Sequence, residues 1–213
     1  LQPLKVVLTN YPQGQVEYFD VPDFPQNPEA GGSRQVPFGR ELWIEREDFA
    51  EVPPPKYHRL SPGKEVRLMN AYYVTCTDVV KDEEGNVIEI HCTYDPETQG
   101  GSAPDGRKVK GTIHWLSAAH AIEAEVRLYD QMFLDEHPED LPEGETFLDH
   151  FNHNSLQVLR GYLEPDLANA KIGEPYQFVR DGYFTLDSVY TLPGKLVFNR
   201  TIGLVDTWAK LQK

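Results

Sequence analysis

"EVRLMNAYYVTCTDVVKDEEGNVIEIHCTYD", residues 65–95, consists of two β-branched and aromatic runs on either side of "DEEGN". Val, Ile, Thr and Tyr lose rotamer freedom in a helix but pack well on a pleated surface. Gly85 or Asn86 can supply the positive φ of a tight turn. The stretch therefore reads as strand, turn, strand. The same composition recurs in "KVVLTNY", "QVEYFDV", "ELWIE", "KVKGTIHWLS", "EAEVRLYD", "YQFVRDGYFTLDSVY" and "LVFNRTIGLVD", with "YPQGQ", "PETQGGSAPDGR" and "LPGK" as turns. Helical periodicity is scarce. Short strands so spaced predict an antiparallel all-β architecture, and closing a sheet into a barrel removes its exposed edges. For 213 residues two barrels fit better than one. Short connecting helices are expected at "REDFA" around Asp48, at "NPEA" after Asn27, and over "SLQVLRGYLEPDLANA", where Asn154 or Ser155 could cap. Pro53–Pro55 reads as a stiff, extended crossing between lobes.

Hydrophobic residues make up 39% of the chain and aromatic ones 11%, enough to build packed cores. No run of about 18 apolar residues exists, so no membrane helix is expected, and "LQPLKVVLTNY" lacks the sections of a signal peptide. The sequence opens without Met inside an apolar run, as expected of a segment cut from a longer protein. Cys76 and Cys92 both fall in strand-like runs and are too few for a disulfide framework or a four-cysteine zinc site; a reducing, cytoplasmic setting is expected. The formal net charge of -14 opposes a polyanionic partner unless charge is segregated. It is segregated. Residues 130–149 sum to -8 without a Lys or Arg, whereas within 56–74 Lys56, Arg59, Lys64 and Arg67 face the single acid Glu65.

Catalytic chemistry is sparse. Ser117 and His120 could form a nucleophile and base, but no nucleophile-elbow glycines surround the serine. Alternation in "GTIHWLS" puts Ile113 and Trp115 on one face and His114 and Leu116 on the other, which suits a structural histidine. His91 and Cys92 point to opposite faces; His150 and His153 lack evident co-ligands; glycine-rich phosphate loops are absent. Binding chemistry is better represented. Guanidinium forks pair with phosphates or guanine edges, and aromatic faces and amides read unstacked bases. Residues 56–74 interleave Tyr57, His58, Arg59, Arg67, Asn70 and Tyr72 in this way. Alternation groups Arg67, Met69 and Ala71 apart from Val66, Leu68 and Asn70, so half the set is expected to face a core. A solvated charged face is the plainer account of such a strip.

"GSRQVPFGRELWIEREDFAE", "YHRLSPGKEVRLMNAYYV", "HCTYDPETQGGSAPDGRKVKGTIHWLSAAHA" and "VFNRTIGLVDTWAK" together resemble the C-terminal anticodon-binding region of bacterial glutaminyl-tRNA synthetase. The resemblance spans essentially the whole chain. It implies two antiparallel β-barrels, a proximal one from 1–54 plus 165–213 and a distal one from 55–164. The partner it implies is tRNA-Gln, its anticodon bases unstacked into separate pockets. It further implies a parent ligase that joins glutamine to tRNA with ATP and magnesium in an N-terminal class I catalytic domain, whose HIGH-like and KMSKS-like signatures do not occur here. This fragment is then non-catalytic and cofactor-free, and is expected to be monomeric.

By motif, Arg59 matches the arginine reading the third anticodon base, a guanine. His58 stands where lysine is usual, and Lys56 where the family can have glutamine. Arg67 matches an arginine near the first base, while Met69 replaces a second one. Gln177 matches a glutamine reading the central uracil, and Gln26 aligns with an asparagine at the anticodon stem or loop. In "GRKVKG", Arg107, Lys108 and Lys110 suit either backbone attraction or a hairpin face. The anticodon region of archaeal and eukaryotic-type glutamyl-tRNA synthetases, and a ribosomal 5S-RNA-binding protein of the same fold, remain alternatives.

Overall fold

The computed structural model describes residues 1–204 apart from 28, 30, 136, 138 and 139. The "DTWAK" motif, Lys210, Lys213, Glu136, Glu139 and part of "NPEA" lie outside the described residues. The chain is all-β: among the described residues, regular structure is strand or 3₁₀ turn, with no α-helix. It divides into two compact units, Gln2–Ile122 with Tyr162–Leu167, and Leu1 with Glu123–Gly161 and Ala168–Lys213.

The larger unit contains β1 (Pro3–Leu8), β2 (Glu17–Pro22), β3 (Ser33–Phe38), β4 (Glu41–Glu45), β5 (Glu65–Leu68), β6 (Tyr73–Lys81), β7 (Val87–Asp95), β8 (Thr112–Ile113) and β9 (Leu116–Ser117). Seven of these form a sheet in the order β8-β5-β6-β7-β1-β4-β9, and β2 pairs with β3. The expected hairpin is β6–β7, antiparallel from Tyr73↔Asp95 to Lys81↔Val87. Gly85 takes the left-handed position at φ 86°, and Asp82 Oδ1 accepts from the Glu84 and Asn86 N–H groups at 3.0 and 2.8 Å. The core gathers Tyr11, Phe19, Phe38, Tyr72 and Trp115, with Phe38 edge-on to Trp115 at 4.9 Å and to Tyr11 at 5.3 Å. The hydroxyls of Tyr11 and Tyr72 donate to Glu17 at 2.6 and 2.7 Å, so this aromatic cluster leaves neither phenol unsatisfied. Burial, reinforced by the Glu17 carboxylate, pushes both phenols above their ordinary pKa.

The smaller unit is built on β10 (Ile122–Tyr129, from Glu123 on), β11 (Leu156–Leu163, as far as Gly161), β12 (Pro175–Phe178), β13 (Gly182–Leu186) and β14 (Leu196–Ile202), in the order β11-β10-β14-β13-β12. Its core stacks Phe178 on Phe184 at 4.1 Å, with Phe198 5.4 Å from Phe178. These two sheet-built units are consistent with the two barrels expected.

Several elements differ from expectation. The run 65–80 is two strands, because Asn70 turns left-handed at φ 57° and Ala71 N–H donates to Leu68 O at 3.0 Å. That turn also reverses the alternation: Asn70 is exposed and Ala71 buried, although Val66 and Leu68 are buried as expected. "YQFVRDGYFTLDSVY" likewise splits, with Arg180 at φ 74°. The helix expected over 155–170 is the strand β11 followed by a 3₁₀ turn at Pro165–Asn169, since pairing beside β10 outweighs a weak local helical pattern. β3 escaped notice behind its flanking glycines and Pro37.

The division also falls elsewhere than at 54/55 and 164/165. Pairing of β1 with β4 and β7 puts residues 3–8, 41–45 and 87–95 in one sheet, so Pro53–Pro55 lies within the larger unit. It ends in a turn, Tyr57 N–H donating to Pro54 O at 3.1 Å. Tyr162–Leu167 joins the same unit because Tyr162 stacks on Trp43 at 5.1 Å and Arg34 forks onto Glu164 at 2.5 and 3.0 Å.

Burial opposes ionisation of Glu164, yet His114, 3.9 Å away, and the Arg34 fork together hold its carboxyl down at about 2, below its ordinary 4.5. A depressed acid contributes stability above its unfolded pKa and loses it as pH falls through the folded value. Unfolding free energy is therefore expected to fall between about pH 4.5 and pH 2 by on the order of 2–3 kcal/mol from this group. Glu164→Gln should flatten that slope in urea titrations across this range; an unchanged slope counts against the assignment.

Candidate nucleic-acid interface

Segment 57–60 docks on the 3₁₀ turn Arg46–Asp48 that follows β4. Leu60 N–H donates to Asp48 O at 2.9 Å, and Ala50 N–H to Leu60 O at 3.0 Å. Leu60 is fully buried, which fixes the odd-numbered neighbour Arg59 at the rim. Arg59 Nη1 donates to Glu47 O at 3.0 Å and lies 3.1 Å from Glu47 Oε1; Nε lies 3.3 Å from Asp48 Oδ1. Asp48 is wholly buried. A buried carboxylate is costly unless a cation is fixed beside it, and Arg59 is such a cation. Tyr57 is a packing residue, its hydroxyl donating to Glu47 O at 3.0 Å and Lys64 Nζ lying 5.8 Å over its ring.

Lys56 is exposed in a left-handed conformation, φ 63°, directly after Pro55. Outside glycine this conformation carries strain, and such residues cluster at binding sites. His58 is exposed, and among the described residues neither side chain makes a hydrogen bond or ion pair. The last glycine of "GRKVKG" lies against His58. A Cβ on Gly111 would sit 1.9 Å from His58 O, so the two backbones touch where only glycine fits.

Arg67 and Arg107 flank the ring of Tyr73, at 5.7 and 5.4 Å, but differ in their partners. Arg107 forks onto Glu65 at 3.0 and 3.0 Å and also pairs with Asp105 at 2.7 Å and with Asp95. Those acids raise its pKa further and make it a structural cation. Arg67 is paired with no acid among the described residues, and its buried Nε makes no hydrogen bond there. Its stem crosses Gly101, where a Cβ would come within 2.9 Å of Cδ. The arrangement leaves a guanidinium positioned by packing alone, with its charge uncompensated. Lys108 and Lys110 are exposed while Val109 packs on the core. Met69 is half-buried, its carbonyl accepting from Trp115 Nε1 at 2.9 Å.

Lys56, His58, Arg59 and Arg67 thus share the larger unit with Gln26, which is exposed in a turn. Gln177 belongs to the smaller unit, exposed on β12 opposite Tyr183, its side chain without a hydrogen bond among the described residues. Sequence reasoning missed the acids Glu47 and Asp48 behind Arg59. It also missed Arg180, whose left-handed turn follows the strand of Gln177 and is signalled only by the succeeding "DG".

The alternative chemistries resolve as structure. Ser117 Oγ and His120 Nδ1 are 2.9 Å apart, but Ser117 is buried and the contact closes a turn in which Ala121 N–H donates to Ser117 O at 2.9 Å. His91 Nε2 is 2.8 Å from Glu89 while Cys92 is buried. His150 is gripped by Glu145 and Asp135, which raise its pKa. Among the described residues no His, Cys, Asp and Glu grouping suits a metal.

Two family models match. One, described as class I (E and Q) tRNA synthetase, anticodon-binding domain, covers residues 1–95, and a second of the same description covers 112–187. This chain belongs to that family. Among curated relatives it is 52% identical to a glutamine–tRNA ligase of Clostridium kluyveri over 96% of its length. It is 53% identical to one of an Enterobacter species and 54% to one of Cupriavidus metallidurans, each over 99%. The chain spans 36–37% of the length of these relatives, and the matched family places anticodon binding in that part.

Gly111→Ala is expected to destabilise the chain by about 1–3 kcal/mol or more, because the new methyl meets backbone that cannot move without shifting β8. A urea midpoint equal to the parent's would show that the 57–60 segment yields freely.

Proposed function

We propose that this chain reads the anticodon loop of tRNA-Gln on behalf of a glutamine–tRNA ligase. The observation that carries the reading is identity of 52–54% over nearly the whole chain to proteins named as that ligase. The same names favour glutamine over glutamate within a family that covers both. The basic strip of the larger unit supports it: Arg67 carries an uncompensated charge, and Lys56, His58 and Arg59 line one exposed segment. In this reading Arg59 takes the third-base guanine, Arg67 approaches the first base, Gln177 offers its amide to the central uracil, and Gln26 touches the stem or loop. Lys56 and His58 approach phosphates, His58 more weakly than a lysine. ATP and magnesium serve a catalytic domain elsewhere in the whole protein, which acts in the cytoplasm as a monomer.

An anticodon stem-loop of tRNA-Gln should bind this chain with affinity that falls as salt rises, as counterion release requires. Replacing its central uracil should weaken binding, and Gln177→Ala should remove that sensitivity. Arg59→Ala should cost about 1–3 kcal/mol and relax preference at the third base, whereas Lys56→Ala should weaken all loops alike. Fluorescence anisotropy titrations check each. Binding indifferent to anticodon sequence, or preference for ribosomal 5S RNA, overturns the assignment.

A further inference from the structure

Arg59 is held by two acids of opposite character. Asp48 is wholly buried beside Nε, while the Glu47 side chain is 66% exposed beside Nη1. A guanidinium offers five N–H donors in a rigid fork, and a bidentate contact to guanine O6 and N7 takes two neighbouring donor nitrogens. Nε is faced by a carboxylate that cannot leave the core. The remaining pair is Nη1 with Nη2, and Nη1 is engaged twice by Glu47, through its carbonyl at 3.0 Å and its carboxylate at 3.1 Å. Nη2 makes no hydrogen bond among the described residues.

We propose that Asp48 is a permanent positioning residue for Arg59 and that Glu47 is a displaceable occupant of its reading edge. Guanine is then read in competition with the Glu47 carboxylate. The inference rests on assigning Arg59 to the third anticodon base. The two acids have separable roles because their burial differs. Withdrawal of Asp48 would need the Arg46–Asp48 turn to open, while the Glu47 side chain only has to swing into water, and an exposed ion pair resists that weakly. The backbone bond from Nη1 to Glu47 O survives the swing and keeps the fork in plane. A base lacking paired acceptors on its major-groove edge cannot replace the carboxylate, so Glu47 stays in place against it.

The test compares stem-loops carrying guanine or adenine at the third anticodon position. Glu47→Ala is expected to tighten the guanine loop by roughly two- to fivefold, the range an exposed ion pair allows, and the adenine loop by less. Glu51→Ala removes an equal charge from an acid 2.8 Å from Lys81 and should shift both loops equally. Asp48→Asn removes a negative charge too, yet should lower the guanine-to-adenine ratio. Equal shifts of both loops by Glu47→Ala, or a loss of guanine affinity, overturn the competition. If Arg59→Ala leaves the ratio untouched, the assignment of Arg59 itself falls; if it abolishes the ratio while Glu47→Ala acts like Glu51→Ala, only the present inference does.

Discussion

Parallel pairing of β1 with β7, from Lys5↔Glu89 to Leu8↔Cys92, is the constraint on which the larger unit depends. It joins segments more than eighty residues apart, capped by Thr9 N–H donating to Cys92 O at 2.8 Å. Closing so long a loop costs conformational entropy, and the return is a continuous sheet whose two halves would otherwise each expose an edge. One side of this seam carries β6, β5 and β8, the other β4 and β9. Because β4 runs straight into the Arg46–Asp48 turn, and β5 follows the 57–60 segment, the seam also brings Arg59 to its acids.

Charge bookkeeping over the whole chain misrepresents this unit. In a protein of net charge -14 many of the described cations are absorbed by neighbouring acids. Arg107 has three acids and serves the fold; Arg59 has two and is steered by them; Arg67 has an aromatic face, a glycine floor and no paired acid among the described residues. The three arginines look alike in sequence, and their capacity to meet an external anion rises in that order. Desolvation and pairing set that order, and net charge does not register it.

The β6–β7 hairpin was legible because its determinants are local: two β-branched runs and a Gly85 that alone satisfies the turn. The Asn70 and Arg180 turns were not, since an L-residue in the left-handed region leaves little trace in composition. β11 was misread as helix because its partner strand, not its own pattern, decides its state. The partition at Pro53–Pro55 failed for the same reason, the β1–β7 pairing being invisible to any window along the chain. At the site, residue types were legible and partners were not. Asp48 and Glu47 lie eleven and twelve residues before Arg59 with no periodic relation to it, and only their burial, 0% against 66% at the side chain, distinguishes anchor from occupant.

The contact between Gly111 and the His58 carbonyl, with Gly101 under the Arg67 stem, also limits how this surface can be rewritten. Its floor is backbone against backbone at Gly111 and backbone against the Arg67 side chain at Gly101, where the left-handed φ of 83° also favours glycine. Lys56 and His58 are exposed, and their side chains can be exchanged without disturbing the sheet, whereas Met69 is half-buried. Variation compatible with this scaffold is therefore variation that keeps both glycines and changes the exposed side chains at 56 and 58. Constancy of the scaffold and freedom of the side chains it carries are separated here by the thickness of one methyl group.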